Sequence, residues 1–282
     1  MGWLLDPSPL STLVVAGALL YALGLRLRLA TGRRRTELWR RTGLLAAAIV
    51  LLDLVLSPAF DRYAAESQAM HMLQHVVLMA IVPPLVVLAA PWLTVWRAIP
   101  LDARRSTARA VLRLPAGVRG ALRGLVSPVV AFVLVSADLA IWHIPGLYDL
   151  TLRNATVHDL EHASFLLFGT FYWLALLDSP PLRSRLDNLQ RAIYAGAGMV
   201  TGWLLALVLA FASAPLYSAY ADLPRRLGGL SALADQALAA GVMLGIGSIP
   251  YTVAVFVFLY RWLDAERPAV TRRTALTTSP ER

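Results

Sequence analysis

Cysteine is absent from the 282 residues, which excludes disulfides, thiolate metal sites and cysteine nucleophiles. Lysine is absent too, so all 26 basic residues are arginine, most simply the codon usage of a GC-rich genome. Charged residues make up only 15% of the chain, against about 25% in an average soluble domain. What replaces them is apolar: 58% of residues are hydrophobic and the mean hydropathy is +0.62. That balance excludes a soluble enzyme, a disordered chain and a fibrous repeat. It describes a polytopic membrane protein, whose soft-metal chemistry must come from histidine and methionine.

Seven apolar stretches of about 20 residues, the length that crosses a bilayer, lie at 9–29, 42–60, 68–90, 125–146, 157–177, 191–213 and 234–261. The sequence therefore predicts an all-α fold: one domain over 1–262, a bundle of seven transmembrane helices. Residues 263–282, rich in Arg, Thr and Ser, read as a disordered cytoplasmic tail. The N-terminus does not read as a signal peptide, because it carries Asp6 early and its arginines follow the apolar run. No internal repeat suggests the two halves of a transporter.

Arginine placement predicts the orientation. Segments 26–41, 97–123, 183–191 and 261–282 hold 22 of the 26 arginines, and the alternate segments hold only Arg62, Arg153, Arg225 and Arg226. The positive-inside rule makes the first set cytoplasmic, with the N-terminus outside and the C-terminus inside. Counted by side, 22 arginines against 7 acids give +15 inside, and 4 against 10 give −6 outside. The arginine excess is thus a topology signal and implies no nucleic-acid partner; the lipid bilayer is the partner it does imply. Residues 97–123 form a basic amphipathic segment suited to the inner leaflet.

All five histidines fall at the outer level. His71 and His75 open the third span, His158 and His162 open the fifth, and His143 closes the fourth. An i, i+4 pair projects both imidazoles from one helical face, one turn apart. Two such pairs on facing helices can supply four nitrogens to one metal or to two close ions. Neutral imidazole suits copper, zinc or iron. The thioethers of Met70 and Met72 favour Cu(I) over zinc. His71, His75, His158 and His162 are the candidate ligands, with His143 and Met72 next. Met79, Met199 and Met243 read as packing residues, and Tyr148, Tyr217 and Tyr220 as part of an aromatic belt.

Asp53, Asp138 and Asp235 lie in apolar spans, where an ionisable group is costly and usually functional. With Glu161 and Gln74 they are candidates for orienting the metal-bound imidazoles, or for interhelical hydrogen bonds or ion pairs. Other functions stay open at this point. His158-x-x-Glu161-His162 matches the H-x-x-E-H pattern of inverted zinc proteases, doubled histidine pairs occur in di-iron hydroxylases, and a bis-histidine haem or a purely structural role is compatible with the pattern.

One further likeness is carried by motifs in order over about 45–262. The run His71-Met72-Leu73-Gln74-His75 is followed by Pro83-Pro84-Leu85 and Ala90-Pro91. Then come Trp142-His143-x-Pro145-x-x-Tyr148-Asp149, His158-x-x-Glu161-His162, Leu216-Tyr217 and Asp235-Gln236. Together they resemble the CtaG-type cytochrome c oxidase assembly factors. The resemblance implies a multi-spanning protein of the bacterial plasma membrane, not an enzyme, associated with maturation of haem-copper oxidases. It implies copper handling, with an oxidase subunit as recipient and an extracytoplasmic copper donor as a further partner.

Overall fold

The computed structural model describes the backbone of residues 9–30, 35–224 and 226–277. Asp6, Arg225 and the last five residues of the expected tail lie outside the described residues. Apart from one isolated bridge between Ser179 and Leu182, the regular structure described is helical. In chain order the helices are α1 (Pro9–Ala30), α2 (Arg35–Val55), α3 (Pro58–Glu66), α4 (Gln68–Val76), α5 (Val82–Ala89), α6 (Trp92–Ala98), α7 (Leu101–Arg113) and α8 (Ala116–Leu125). They continue as α9 (Pro128–Trp142), α10 (Pro145–Arg153), α11 (Ala155–Leu176), α12 (Asn188–Phe211), α13 (Ser218–Ala221), α14 (Ala232–Leu244) and α15 (Ile249–Thr277).

Helix starts follow local chemistry. Ser57, Ser67, Asn154 and Ser231 each accept a backbone N–H of the first turn that follows, capping α3, α4, α11 and α14, and Asp187 with Gln190 forms a reciprocal capping box on α12. The third expected span is one continuous apolar run, α4 and α5 joined by a π-helical turn at Val77–Ile81. Pro83 and Pro84 lack the N–H groups an α-helix needs there. The ladder accommodates them by a wider loop, with Val82 N–H donating to the Val77 carbonyl. Helix α11 crosses this turn closely: a Cβ at Gly169 would lie 2.7 Å from the Met79 carbonyl oxygen, so only glycine allows the approach.

By length and composition, three helical runs among the described residues can cross a membrane: Gln68–Ala89, Asn188–Phe211 and Ala232–Glu266. Two bent pairs, α2 with α3 at 55° and α8 with α9 at 62°, raise that to five. Helix α11, 22 residues long, coincides with the fifth expected span but falls outside this set. In α11 the reason is His158, Asp159, Glu161 and His162, which make its first turns polar. The last helix continues through 263–277, where the sequence reading expects a disordered tail; alanine and arginine there favour helix.

Polarity is inverted relative to a soluble protein. Phe211 is 82% exposed and Val129 75%, whereas His71, Gln74, Glu161 and Gln236 are 0% exposed. Such an outward apolar surface needs lipid against it, and the buried polar groups need one another. Inside, α4 packs on α14, α5 on α2 and α11, and α11 on α9. The N-terminal ends of α4 and α11, which carry the histidine pairs, thereby meet in the interior.

Candidate metal centre

The capped starts of α4 and α11 place His71, His75, Glu161 and His162 in one cluster. One ligand atom from each lies within 4.8 Å of all the others. His71 Nε2 is 3.6 Å from Glu161 Oε2, and His75 Nε2 is 3.4 Å from Glu161 Oε1. Those separations exceed an N–H···O bond. They match the ligand–ligand edge of a tetrahedral ion, about 3.4 Å for bonds of about 2.0–2.1 Å. Nor do other partners satisfy these atoms: His71 Nε2, both nitrogens of His75, His162 Nε2 and both Glu161 oxygens are buried without a hydrogen bond. Buried polar atoms are rarely left so, and here several converge. The donor set fits a metal ion.

Two imidazoles have their tautomers set by neighbours. The single Tyr220 hydroxyl proton is donated to the Ala64 carbonyl at 2.6 Å. The Tyr220 oxygen can then only accept from His71 Nδ1, 3.1 Å away. That puts the His71 proton on Nδ1 and leaves the Nε2 lone pair facing the cluster. His143 Nδ1 donates to the Leu139 carbonyl at 2.7 Å, so its Nε2 is likewise bare, 3.5 Å from the Met72 sulfur. The His143 ring lies 5.8 Å from that of His75. His158, half-buried as a residue but with its Nε2 buried and without a hydrogen bond, lies beside the cluster, its ring 5.2 Å from His71 and 4.0 Å from His162. Phe165, Tyr148 and Tyr220 wall the cluster, at 4.7 Å from His75 and at 5.2 and 6.4 Å from His71.

The remaining sequence candidates sit elsewhere. Glu161, expected behind the ligands, stands among them. Asp235, expected beside an imidazole, instead accepts Ser67 Oγ–H at 2.8 Å and the backbone N–H groups of Gln68 and Ala69 at 2.7 and 3.2 Å. It anchors the start of α4, where a carboxylate also complements the helix dipole. Gln74 donates to the Val55 carbonyl and to Asp61, tying the helix to α2 and α3. Asp138 accepts from Trp142 Nε1 at 3.0 Å and touches no histidine. Asp53 Oδ1 has no hydrogen-bond partner among the described residues.

Sequence reasoning missed Tyr220, taken for a membrane-belt aromatic, and the scaffold that holds it. Asp149 accepts from Ser218 and from the Ala219 N–H, pinning the turn before Tyr220. Gln236 Oε1 accepts from Leu216 N at 2.8 Å while its Nε2 donates to the Leu209 carbonyl. Tyr217 stacks on Tyr148 at 3.8 Å. The signal was present in the motif pairs Tyr148-Asp149, Leu216-Tyr217 and Asp235-Gln236. Their joint action needs contacts across 20 to 70 positions.

Known proteins place the chain in context. It is 25% identical over 268 residues to uncharacterized proteins of Mycobacterium bovis and of Mycobacterium tuberculosis, a match covering 93% of this chain and 40% of each relative. The chain thus spans well under half the length of those relatives. No solved structure matches it. Residues 19–265, which include all five histidines, match the model of the cytochrome c oxidase caa3 assembly factor family. The chain belongs to the cytochrome c oxidase caa3 assembly factors.

Proposed function

We propose that this protein binds copper in the His71, His75, His162 and Glu161 cluster and passes it to a subunit of a haem-copper oxidase. The observation that carries the reading is the pair of Glu161–imidazole separations, 3.4 and 3.6 Å. They belong to buried atoms that make no hydrogen bond to any described residue. Three nitrogens and a carboxylate suit Cu(II) or zinc. The adjoining His143 Nε2 and Met72 sulfur form a softer pair that favours copper as Cu(I). His158, beside the cluster with its Nε2 also buried and unpaired, would be the further imidazole through which the ion is exchanged with a donor or recipient.

Seven spans, with the N-terminus and the metal centre on the extracytoplasmic side of a bacterial plasma membrane, complete the reading. Arginine placement supports that orientation, and the outer side would carry the negative charge that attracts a cation. The role is carrier rather than enzyme: both Glu161 oxygens face imidazoles, so the carboxylate is not free to act as a base on a peptide.

The test is metal analysis of the purified protein after reconstitution with copper or zinc, wild type against the His71→Ala/His75→Ala variant. The expected result is about one copper per chain in the wild type and loss in the variant. Negligible metal in both would end the binding claim, and zinc retained in preference to copper would end the copper assignment.

A further inference from the structure

At the end of α11 away from the histidines, Leu174 and Ala175 meet Val126 and Leu182 to form the apolar floor of a pocket of about 230 Å³. Counting residues along α11 from His162, this pocket lies about 20 Å from the metal centre. Its rim is basic: Arg123 from the last turn of α8, with Arg183 and Arg185 from the connection between α11 and α12.

That connection is a built structure. Asp178 accepts two hydrogen bonds from Arg191, both 2.9 Å, and one from the Ser184 N–H at 3.0 Å. Ser184 Oγ donates to the Ala175 carbonyl at 2.5 Å and accepts from Leu186 N–H. The Asp178 carboxylate is therefore committed to Arg191 and to the turn. Arg123, Arg183 and Arg185 make no hydrogen bond or ion pair with any described residue. Arg123, Arg183 and Arg185 thus line one concavity from two elements, and the Asp178 carboxylate, which feels the charge of Arg183, accepts its hydrogen bonds from Arg191 and the Ser184 N–H.

We propose that this pocket binds a phosphate-bearing anion, with phospholipid headgroups as the source its form favours. Guanidinium groups hold phosphate oxygens through paired charge-assisted hydrogen bonds. The apolar floor offers a surface to the glycerol and acyl portion of a lipid, and basic pockets between spans on the arginine-rich side are suited to anionic headgroups. The inference is independent of the metal reading, because no residue is shared.

The full chain, purified in a nonionic detergent, is offered cardiolipin, phosphatidylglycerol, phosphatidylcholine or inorganic phosphate, and retained ligand is counted by native mass spectrometry. The wild type is expected to keep an anionic lipid in preference to phosphatidylcholine. Arg183→Gln/Arg185→Gln should weaken retention about 30-fold, roughly fivefold per arginine. Arg123→Gln, on a separate element, should weaken it about fivefold. Arg104→Gln/Arg105→Gln in α7, which removes the same charge outside the pocket, should leave retention unchanged. Inorganic phosphate binding with the same arginine dependence, without lipid retention, would support the phosphate site and assign its source to free anion. Equal losses in the pocket and α7 variants, or no loss in either, would overturn the proposal. Metal content should be the same in all of them.

Discussion

Replacing Tyr220 by phenylalanine removes one oxygen and keeps the ring. That oxygen accepts from His71 Nδ1–H at 3.1 Å and donates to the Ala64 carbonyl at 2.6 Å. Both partners are then buried without a hydrogen bond, at about 1–3 kcal/mol each, so the variant should lose about 2–6 kcal/mol of stability. The consequence for metal is separate. Without its acceptor, the His71 proton is no longer held on Nδ1, and the form with Nε2 bare loses its preference. Removing such an outer partner costs about 10–100-fold in metal affinity, equivalent to about 1.4–2.7 kcal/mol. Competition against a chromophoric chelator, run with thermal unfolding in the same detergent, measures both. A Tyr220→Phe protein that unfolds earlier yet binds metal as tightly as the wild type would refute the tautomer argument.

Two other expectations follow from the scaffold. Asp235→Asn keeps the shape but offers one carbonyl oxygen where a carboxylate took three hydrogen bonds. Losing one charge-assisted bond costs about 1.5–3 kcal/mol, read as earlier unfolding together with weaker metal binding, since the start of α4 carries His71; wild-type unfolding and affinity would contradict this. Asp178 lies outside the spans, and its hydrogen bonds with Arg191 hold its carboxyl below the usual range. A depressed carboxyl pKa contributes stability above the unfolded value, about 3.9, and that contribution disappears as pH falls through the folded value. Half exposure of the side chain keeps the effect small. Unfolding profiles of Asp178→Asn should lack that acid-side loss; an unchanged slope below pH about 4 would contradict it.

The all-helical class and the places where helices start were legible because they depend on neighbours within a few positions. Ser67 and Asn154 cap the helices they precede, and the apolar periodicity marks the runs they open. The i, i+4 spacing put His71 with His75 and His158 with His162 on shared faces for the same reason. Pairing across helices was not legible in detail. Glu161 was assigned behind the ligands because the H-x-x-E-H spacing says nothing of where the intervening residues point once α11 meets α4. The depth of Asp235 in its span suggests a place near the imidazoles, whereas its partners are the Ser67 hydroxyl and two backbone N–H groups, 166–168 positions away. Breaks within spans were only partly foreseeable. Pro83 and Pro84 announce a defect, but its form, a π turn with Gly169 laid against it, depends on how closely α11 approaches.

The sequence by itself therefore determined a helical membrane protein, its arginine asymmetry and a short list of histidines, since composition, charge and local spacing are one-dimensional properties. Only the tertiary structure decided that Glu161 joins three histidines, that Tyr220 sets the proton on His71, and that Asp235 and Gln236 hold the scaffold. These depend on the three-dimensional convergence of α4, α11, α14 and the turn at 216–221. There the cost of leaving buried polar groups unpaired selects partners that no local pattern encodes.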